Sequence, residues 1–365
     1  VSTFSAIDHA HMAHALRLAE KGLFTTHPNP RVGCVLAHGG QVVGSGFHQR
    51  AGEPHAEVHA LREAGSAARG ATAYVTLEPC AHHGRTPPCA DALIAAGVSR
   101  VVAAVGDPFP AVNGRGLARL REAGIAVDTG LLEAPVRELN RGFLRRVGDG
   151  RPWLRLKLAL SLDGRTGLAD GRSQWITGPA ARADNMRWRA RSGAIMTGIG
   201  SVLADDPQLT VRFDDGTEFV PPLRVVLDSQ LRIPASARIL DAQAPTVVVC
   251  APEAVAGQRH LDAAQVMSCP HHATGLGLAV VLAELAERCV NELHVEAGAT
   301  LAGALVHAGL VDELLLYVNP SLIGDSGRPL LQLPPLRALA DRTRWRLLDQ
   351  QLVGEDLRLL LRPAA

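Results

Sequence analysis

His55-Ala56-Glu57, followed by Glu78-Pro79-Cys80 and then by Cys89, is the set of residues around which the first half of the chain is organised. One imidazole and two thiolates supply the three protein ligands of a catalytic zinc, leaving a fourth position for water. The two thiols must lose their protons to bind, so the metal, His55, Cys80 and Cys89 form one linked unit. Glu57 is not needed as a ligand and is free to move protons, the task of the carboxylate two residues beyond the ligand histidine in zinc deaminases. Singly, these residues have plainer readings: a loop histidine, a solvated glutamate, cysteines buried as small hydrophobes. Their order and spacing favour catalytic zinc over a closed structural zinc or no metal.

The spacer between the cysteines, Ala81-His82-His83-Gly84-Arg85-Thr86-Pro87-Pro88, is longer than the two-residue spacer of the general deaminase signature. With this loop, His55-Ala56-Glu57 and Glu78-Pro79-Cys80 resemble the deaminase half of the bifunctional riboflavin-biosynthesis deaminase and reductase family. Asn29-Pro30-Arg31-Val32-Gly33 is similar to another motif of that half. The resemblance implies that Asn29, His48, His82 and Arg85 contact substrate, with Glu57 catalytic and His55, Cys80 and Cys89 on zinc.

A chain of 365 residues exceeds one typical core and suits two domains, and 47% hydrophobic with 20% charged residues describes a globular protein. A net charge of +1 gives no general footprint for nucleic acid and favours small-molecule substrates. No apolar run reaches a membrane span, and the His-rich, charged start is unlike a signal peptide, so a cytoplasmic protein is expected. Six cysteines in so long a chain make no disulfide framework; Cys34, Cys250, Cys269 and Cys289 are read as structural.

In order, periodicity predicts a helix over 6–20, with His9, His11 and His14 on a solvated face rather than in a metal cluster. A hairpin follows (32–37 and 41–47) around His38-Gly39-Gly40, then a helix after His55 and strands at 73–77 and 101–105. A helix at 117–123, a strand at 125–128 and one helix over 131–146 complete an α/β pattern. Val147-Gly148-Asp149-Gly150-Arg151-Pro152 marks the boundary, giving domains 1–148 and 152–365.

The second half opens with a strand at 153–160 and shows no metal triad or nucleophile. Thr197-Gly198-Ile199-Gly200-Ser201 begins like a dinucleotide fingerprint, but Leu203 stands where the third glycine belongs, against a Rossmann unit. Glu296-Ala297-Gly298-Ala299-Thr300 runs from strand to helix, and its amides could hold a phosphate or its small residues could simply pack closely. Lys157 to Gly164, Ser173 to Thr177, Val202 to Pro207 and this glycine turn all resemble the reductase half of the same family.

The resemblance implies an N-terminal cytidine-deaminase-like α/β/α domain and a C-terminal dihydrofolate-reductase-like α/β domain using NADPH. It places Ala159, Trp175, Ser201, Asp205, Gly298, Ala299, Thr300, Leu301, Ala302, Gly303 and Ala304 on the cofactor, and Ser173, Arg189, Leu209, Arg212 and Glu296 on substrate. Arg189 and Arg212 also suit a sugar phosphate, because planar guanidinium donors bind oxygens in pairs. The expected partners are phosphoribosyl pyrimidines, with no nucleic acid or membrane, in a homo-oligomer, dimer or tetramer. The alternatives are a nucleic-acid base deaminase, disfavoured by 4% aromatic content and near-neutral charge, and a non-enzymatic second domain.

Overall fold

In the computed structural model, which describes residues 4–81, 88–256, 261–272 and 275–364, the first helix α1 (Ala6–Glu20) starts at a capping box. Ser5 Oγ accepts from the Asp8 amide at 3.1 Å and Asp8 Oδ2 accepts from the Ser5 amide at 2.8 Å. The other oxygen of Asp8 accepts from Tyr74 and Arg100, tying the helix to the sheet behind it. His11 is not solvated as the sequence suggested. It is buried, with Nε2 2.8 Å from the Gly39 carbonyl.

Unit Val1–Gly150 holds a five-stranded sheet. Its strands are β1 (Gly33–His38), β2 (Gln41–Phe47), β3 (Thr72–Leu77), β4 (Arg100–Val105) and β5 (Ala126–Thr129), in the order β2-β1-β3-β4-β5. β2, β1 and β3 pair antiparallel, whereas β3, β4 and β5 run parallel. Strand alternation sorts the core into two layers. Cys34, Leu36, Val75 and Ala103 pack under α2 (Ala56–Ala64), α3 (Cys89–Ala96) and α4 (Arg115–Glu122). Val35, Tyr74, Val102 and Ala104 pack on α1 and on α5 (Glu133–Leu139) and α6 (Arg141–Asp149). This is the α/β/α sandwich the sequence led us to expect.

The helix read over 131–146 is in fact two, α5 and α6, broken at Asn140. The Asn140 amide is spent on Arg31: Oδ1 accepts from its N–H at 2.8 Å and Nδ2 donates to its carbonyl at 2.9 Å. That pairing satisfies a distant chain segment, which local periodicity cannot register.

Unit Arg151–Ala365 is built on a nine-stranded sheet. In sequence it runs β6 (Trp153–Ser161), α7 (Pro179–Ala190), β7 (Ala194–Gly198), α8 (Ile199–Asp205), β8 (Leu223–Leu227), β9 (Thr246–Cys250), α9 (Pro252–Ala256) and β10 (Gln265–Ser268). Two short strands follow, β11 (His271–His272) and β12 (Gly275–Leu276), paired only with each other. Then come α10 (Leu278–Glu287), β13 (Glu292–Glu296), α11 (Ala299–His307), β14 (Glu313–Asn319), β15 (Trp345–Val353) and β16 (Asp356–Pro363). The order is β10-β9-β8-β7-β13-β6-β14-β16-β15, parallel from β10 to β14 and closed by an antiparallel hairpin. Such a parallel sheet is apolar on both faces, as Leu154, Val225, Val249 and Val295 on one and Ile195, Val226 and Val248 on the other attest.

Cys34, Cys250 and Cys269 are buried, but Cys289 is exposed, so its structural reading does not hold. Among the described residues no helix is long and apolar enough to cross a membrane.

Candidate functional site

Glycines let α2 settle unusually close to β2. A Cβ on Gly46 would stand 2.6 Å from the Ala56 carbonyl oxygen, and one on Gly44 2.3 Å from that of Ala60. This approach sets the first turn of α2, with His55 as its N-cap residue, beside the end of β3. Cys80 follows β3 and Cys89 is the first residue of α3, so the three side chains come from two helix starts and a strand end.

Their metal-ligating atoms all lie within 4.8 Å of one another, and among the described residues no other group of His, Cys, Asp or Glu is so assembled. His55 Nδ1 is 3.1 Å from Cys89 Sγ and 3.6 Å from Cys80 Sγ. Ligand bonds of about 2.0 Å to nitrogen and 2.3 Å to sulfur at tetrahedral angles require N···S separations of about 3.5 Å, so the set fits zinc. Two sulfurs with an imidazole also suit zinc better than a hard, oxygen-seeking cation.

The hydrogen bond from Cys89 lowers the Cys80 pKa to about 4, and the same bond, with burial, pushes the Cys89 thiol far up. The Cys89 amide, at the start of α3, also donates to Cys80 Sγ at 3.3 Å. His55 is raised by its bond to Cys80. Glu57, 3% exposed in the first turn of α2, is raised by burial, opposed by the charge of His55.

Glu78, which the sequence offered only as part of a motif, is a backbone clamp. Its oxygens accept from the amides of Asp107, Gly114, Gly116 and Leu117 at 2.9–3.3 Å, fastening the end of β3 to the start of α4. Asn29 and His48 stand beside the cluster: Asn29 Nδ2 is 3.0 Å from His48 Nε2, and the His48 ring meets the His55 ring edge-on at 5.4 Å. His82 and Arg85 lie outside the described residues.

In the second unit a cavity of about 1160 Å³ opens above the ends of β6, β7 and β13. Ala159, Trp175, Ser201, Asp205, Gly298, Ala299, Thr300 and Leu301 line it, as do Ser173, Arg189, Leu209, Arg212 and Glu296. Ala302, Gly303 and Ala304 do not. Ala302 is in the core, Gly303 packs where a Cβ would meet the Gln332 carbonyl at 2.0 Å, and Ala304 faces solvent. At Gly200 and Gly298 a Cβ would find open space, as expected where a ligand lies on the backbone.

Arg189 is not the free phosphate-binding cation that its sequence position suggested. Its Nε and Nη2 bind Glu296 at 2.5 and 2.9 Å and its Nη1 donates to the Thr210 carbonyl at 2.8 Å. Asn185 Nδ2 adds a bond to Glu296 Oε1 at 3.0 Å. Burial opposes ionisation of Glu296, but Arg189 holds its pKa well below the usual carboxylate range. Two residues earlier on the same strand face, His294 is fully buried and burial lowers its pKa to about 4. Sequence reasoning missed Lys157 as a site residue; it lines the cavity, and burial lowers its pKa, opposed by Glu296. Its position on β6 two residues before Ala159, on the same strand face, was the available signal.

Comparison with known proteins places these sites in context. Residues 152–359 match the model of the RibD C-terminal domain, and 5–105 match the cytidine and deoxycytidylate deaminase zinc-binding region. The riboflavin biosynthesis protein RibD of Escherichia coli is 51% identical, covering 97% of this chain and 99% of its own. That of Haemophilus influenzae is 47% identical, over 99% and 98%. The structure of Acinetobacter baumannii RibD superposes with a TM-score of 0.91 at 44% identity, covering 98% of this chain and 99% of that one. A Thermotoga maritima diaminohydroxyphosphoribosylaminopyrimidine deaminase and 5-amino-6-(5-phosphoribosylamino)uracil reductase superposes with a TM-score of 0.87 at 31% identity, with the same coverage.

Proposed function

The chain belongs to the RibD family of riboflavin biosynthesis proteins, and from that premise we propose that it carries two enzymes: a zinc-dependent deaminase in residues 1–148 and an NADPH-dependent reductase in residues 152–365. The first hydrolyses an amino group from diaminohydroxyphosphoribosylaminopyrimidine. The second reduces the ribosyl group of the resulting aminouracil ribotide to ribityl. The observation that carries the reading is the His55, Cys80 and Cys89 cluster with the buried Glu57 beside it.

Zinc, when held by His55, Cys80 and Cys89, supplies a Lewis acid that makes water nucleophilic near neutral pH. Glu57 takes the water's proton on a carboxylate oxygen and delivers it to the departing amine, and burial, by raising its pKa, brings it nearer the working range. Asn29 orients the pyrimidine. In the second domain NADPH, when bound, supplies the hydride. Gly200 and Gly298 admit the cofactor to the backbone, Trp175 covers the cavity rim, and the ionised Glu296, locked by Arg189, fixes the sugar. Arg212, exposed at the rim, keeps donors for the ribotide phosphate. Lys157 is the cavity group that releases a proton as the sugar is reduced. The proposal includes a cytoplasmic homo-oligomer, dimer or tetramer, which sedimentation tests.

The test is a coupled assay on metal-analysed protein given the diaminopyrimidine ribotide with and without NADPH. Ammonia release in both, with NADPH oxidation in the second, is expected. Ammonia without oxidation would remove the reductase, and no ammonia with zinc present would remove the deaminase, the reductase then being tested on the aminouracil ribotide itself.

A further inference from the structure

The chain has four tryptophans, and Trp175 alone among them is exposed, at 69%. It stands on the segment between Ser173 and α7, in the wall of the second-unit cavity. An indole left in water forgoes the burial of a large apolar surface, which a fold tolerates where a ligand supplies the cover. Among the described residues this indole makes no hydrogen bond, and its one ring contact is with Arg182, whose Cζ lies 4.6 Å from the ring centroid. A guanidinium is drawn to an indole face by the ring quadrupole. Arg182 is itself fixed: it sits one turn into α7, and its Nη1 donates to the Thr177 carbonyl at 2.7 Å. The two ends of the segment are tied by other groups. Ser173 Oγ donates to Asp205 Oδ1 at 3.4 Å. The Gly178 amide donates at 2.8 Å to the buried Asp356, whose other oxygen accepts from Asn319 Nδ2 at 2.9 Å. These ties hold the backbone, and the direction of the indole is left to Arg182.

We propose that Arg182 is a positioning residue: it covers one face of Trp175 and holds the indole in the cavity wall, so that the opposite face is presented to a planar ring of the nicotinamide cofactor. This rests on the reductase reading and deepens it, since the cofactor then meets an aromatic surface oriented before it arrives, and the ordering of that side chain is not charged to binding. The plainer alternative is that Arg182 only braces the start of α7 through Thr177. The two differ in what they predict without the indole. A brace matters whether or not Trp175 is there, whereas the effect of a positioning residue runs through Trp175 and vanishes with it.

The first test is fluorine NMR of the full chain labelled with 5-fluorotryptophan, the Trp175 resonance being assigned with Trp175→Phe. In Arg182→Ala that resonance is expected to move and sharpen as the indole is freed, with the Trp153 and Trp345 resonances in place; an unmoved Trp175 resonance overturns the proposal. The second is NADPH affinity, read from cofactor fluorescence, in a double-mutant cycle. Arg182→Ala is expected to raise Kd about fivefold and Trp175→Ala about tenfold, and adding Arg182→Ala to Trp175→Ala should change Kd by less than about twofold. An Arg182→Ala effect of the same size with and without the indole overturns the proposal in favour of the brace. Should Arg182→Ala fail to fold, Arg182→Gln replaces it in both measurements, keeping an N–H donor for the Thr177 carbonyl while removing the cation from the ring, and the same outcomes decide. If Trp175→Ala binds NADPH as tightly as the unmodified protein, the cofactor role of Trp175 fails and takes that half of the proposal with it, whereas the fluorine resonance still decides whether Arg182 holds the indole.

Discussion

The zinc cluster and the cavity of the second unit solve the problem of site-building in opposite ways. The first gathers its chemistry from one stretch, His55 to Cys89, on two helix starts and a strand end. The second draws its walls from Lys157 to Gln332 and needs β6, β7 and β13 side by side before it exists. A metal demands particular donor atoms, so its site is written in residue identities. A dinucleotide cavity demands shape and backbone amides, which many sequences can supply. The difference also separates their failure modes, since the cluster depends on a bound ion and the cavity on buried ion pairing.

The sharpest way to separate them is metal removal. Dialysis against a chelator is expected to lower ammonia release by about a thousandfold or more while NADPH oxidation on the aminouracil ribotide stays within about twofold. The converse is Glu296→Gln, which leaves the Arg189 guanidinium facing a neutral amide. NADPH oxidation should fall about a hundredfold and the second unit lose about 3 kcal/mol in denaturant titration, with ammonia release nearly unchanged.

His294 gives the second unit its own pH dependence. Burial lowers its folded pKa to about 4 against an unfolded value of 6.5. Between those values the unfolded chain binds the extra proton, so stability is full above pH 6.5 and falls as pH drops toward 4. The loss is about 3 kcal/mol. Denaturation followed across that window should show this slope in the second unit, flattened in His294→Gln.

A smaller effect is expected from Gly46→Ala. The added methyl would push α2 off β2, costing about 2 kcal/mol and weakening zinc retention in competition with a chelator. The smallest tests the cofactor stretch. Ala304 faces solvent outside the cavity, so Ala304→Ser should leave KM for NADPH within about twofold, whereas Gly298→Val, filling the open space at the turn, should raise it about tenfold or more.

Much of the first unit was legible. Apolar runs at Val32 to Ala37 and Ala73 to Leu77 announced strands, which the fold buries along nearly their whole length, and the ligand spacing announced the metal. The break at Asn140 was not, because its cause is a pairing with Arg31 more than a hundred residues away in sequence. In the second unit the strand-to-helix glycine turn could be seen, but its dual nature could not be resolved. Gly298 faces the cavity while Gly303, one turn and a half later, packs on Gln332, and a string of small residues looks the same in both roles. Arg189 and Glu296 were each visible as polar residues near motifs. Their bidentate pairing across α7 and β13 belongs to tertiary structure, and it changes the reading of the arginine from a phosphate hook to a brace.

The most direct measurement is made on Glu57→Gln with full zinc, supplied in turn with the diaminopyrimidine ribotide and with the aminouracil ribotide plus NADPH. Ammonia release about a thousandfold below the unmodified protein is expected from the first substrate, with NADPH oxidation at the unmodified rate on the second. Ammonia release at full rate with zinc in place, or the loss of both activities together, would contradict two chemistries housed in two independent sites.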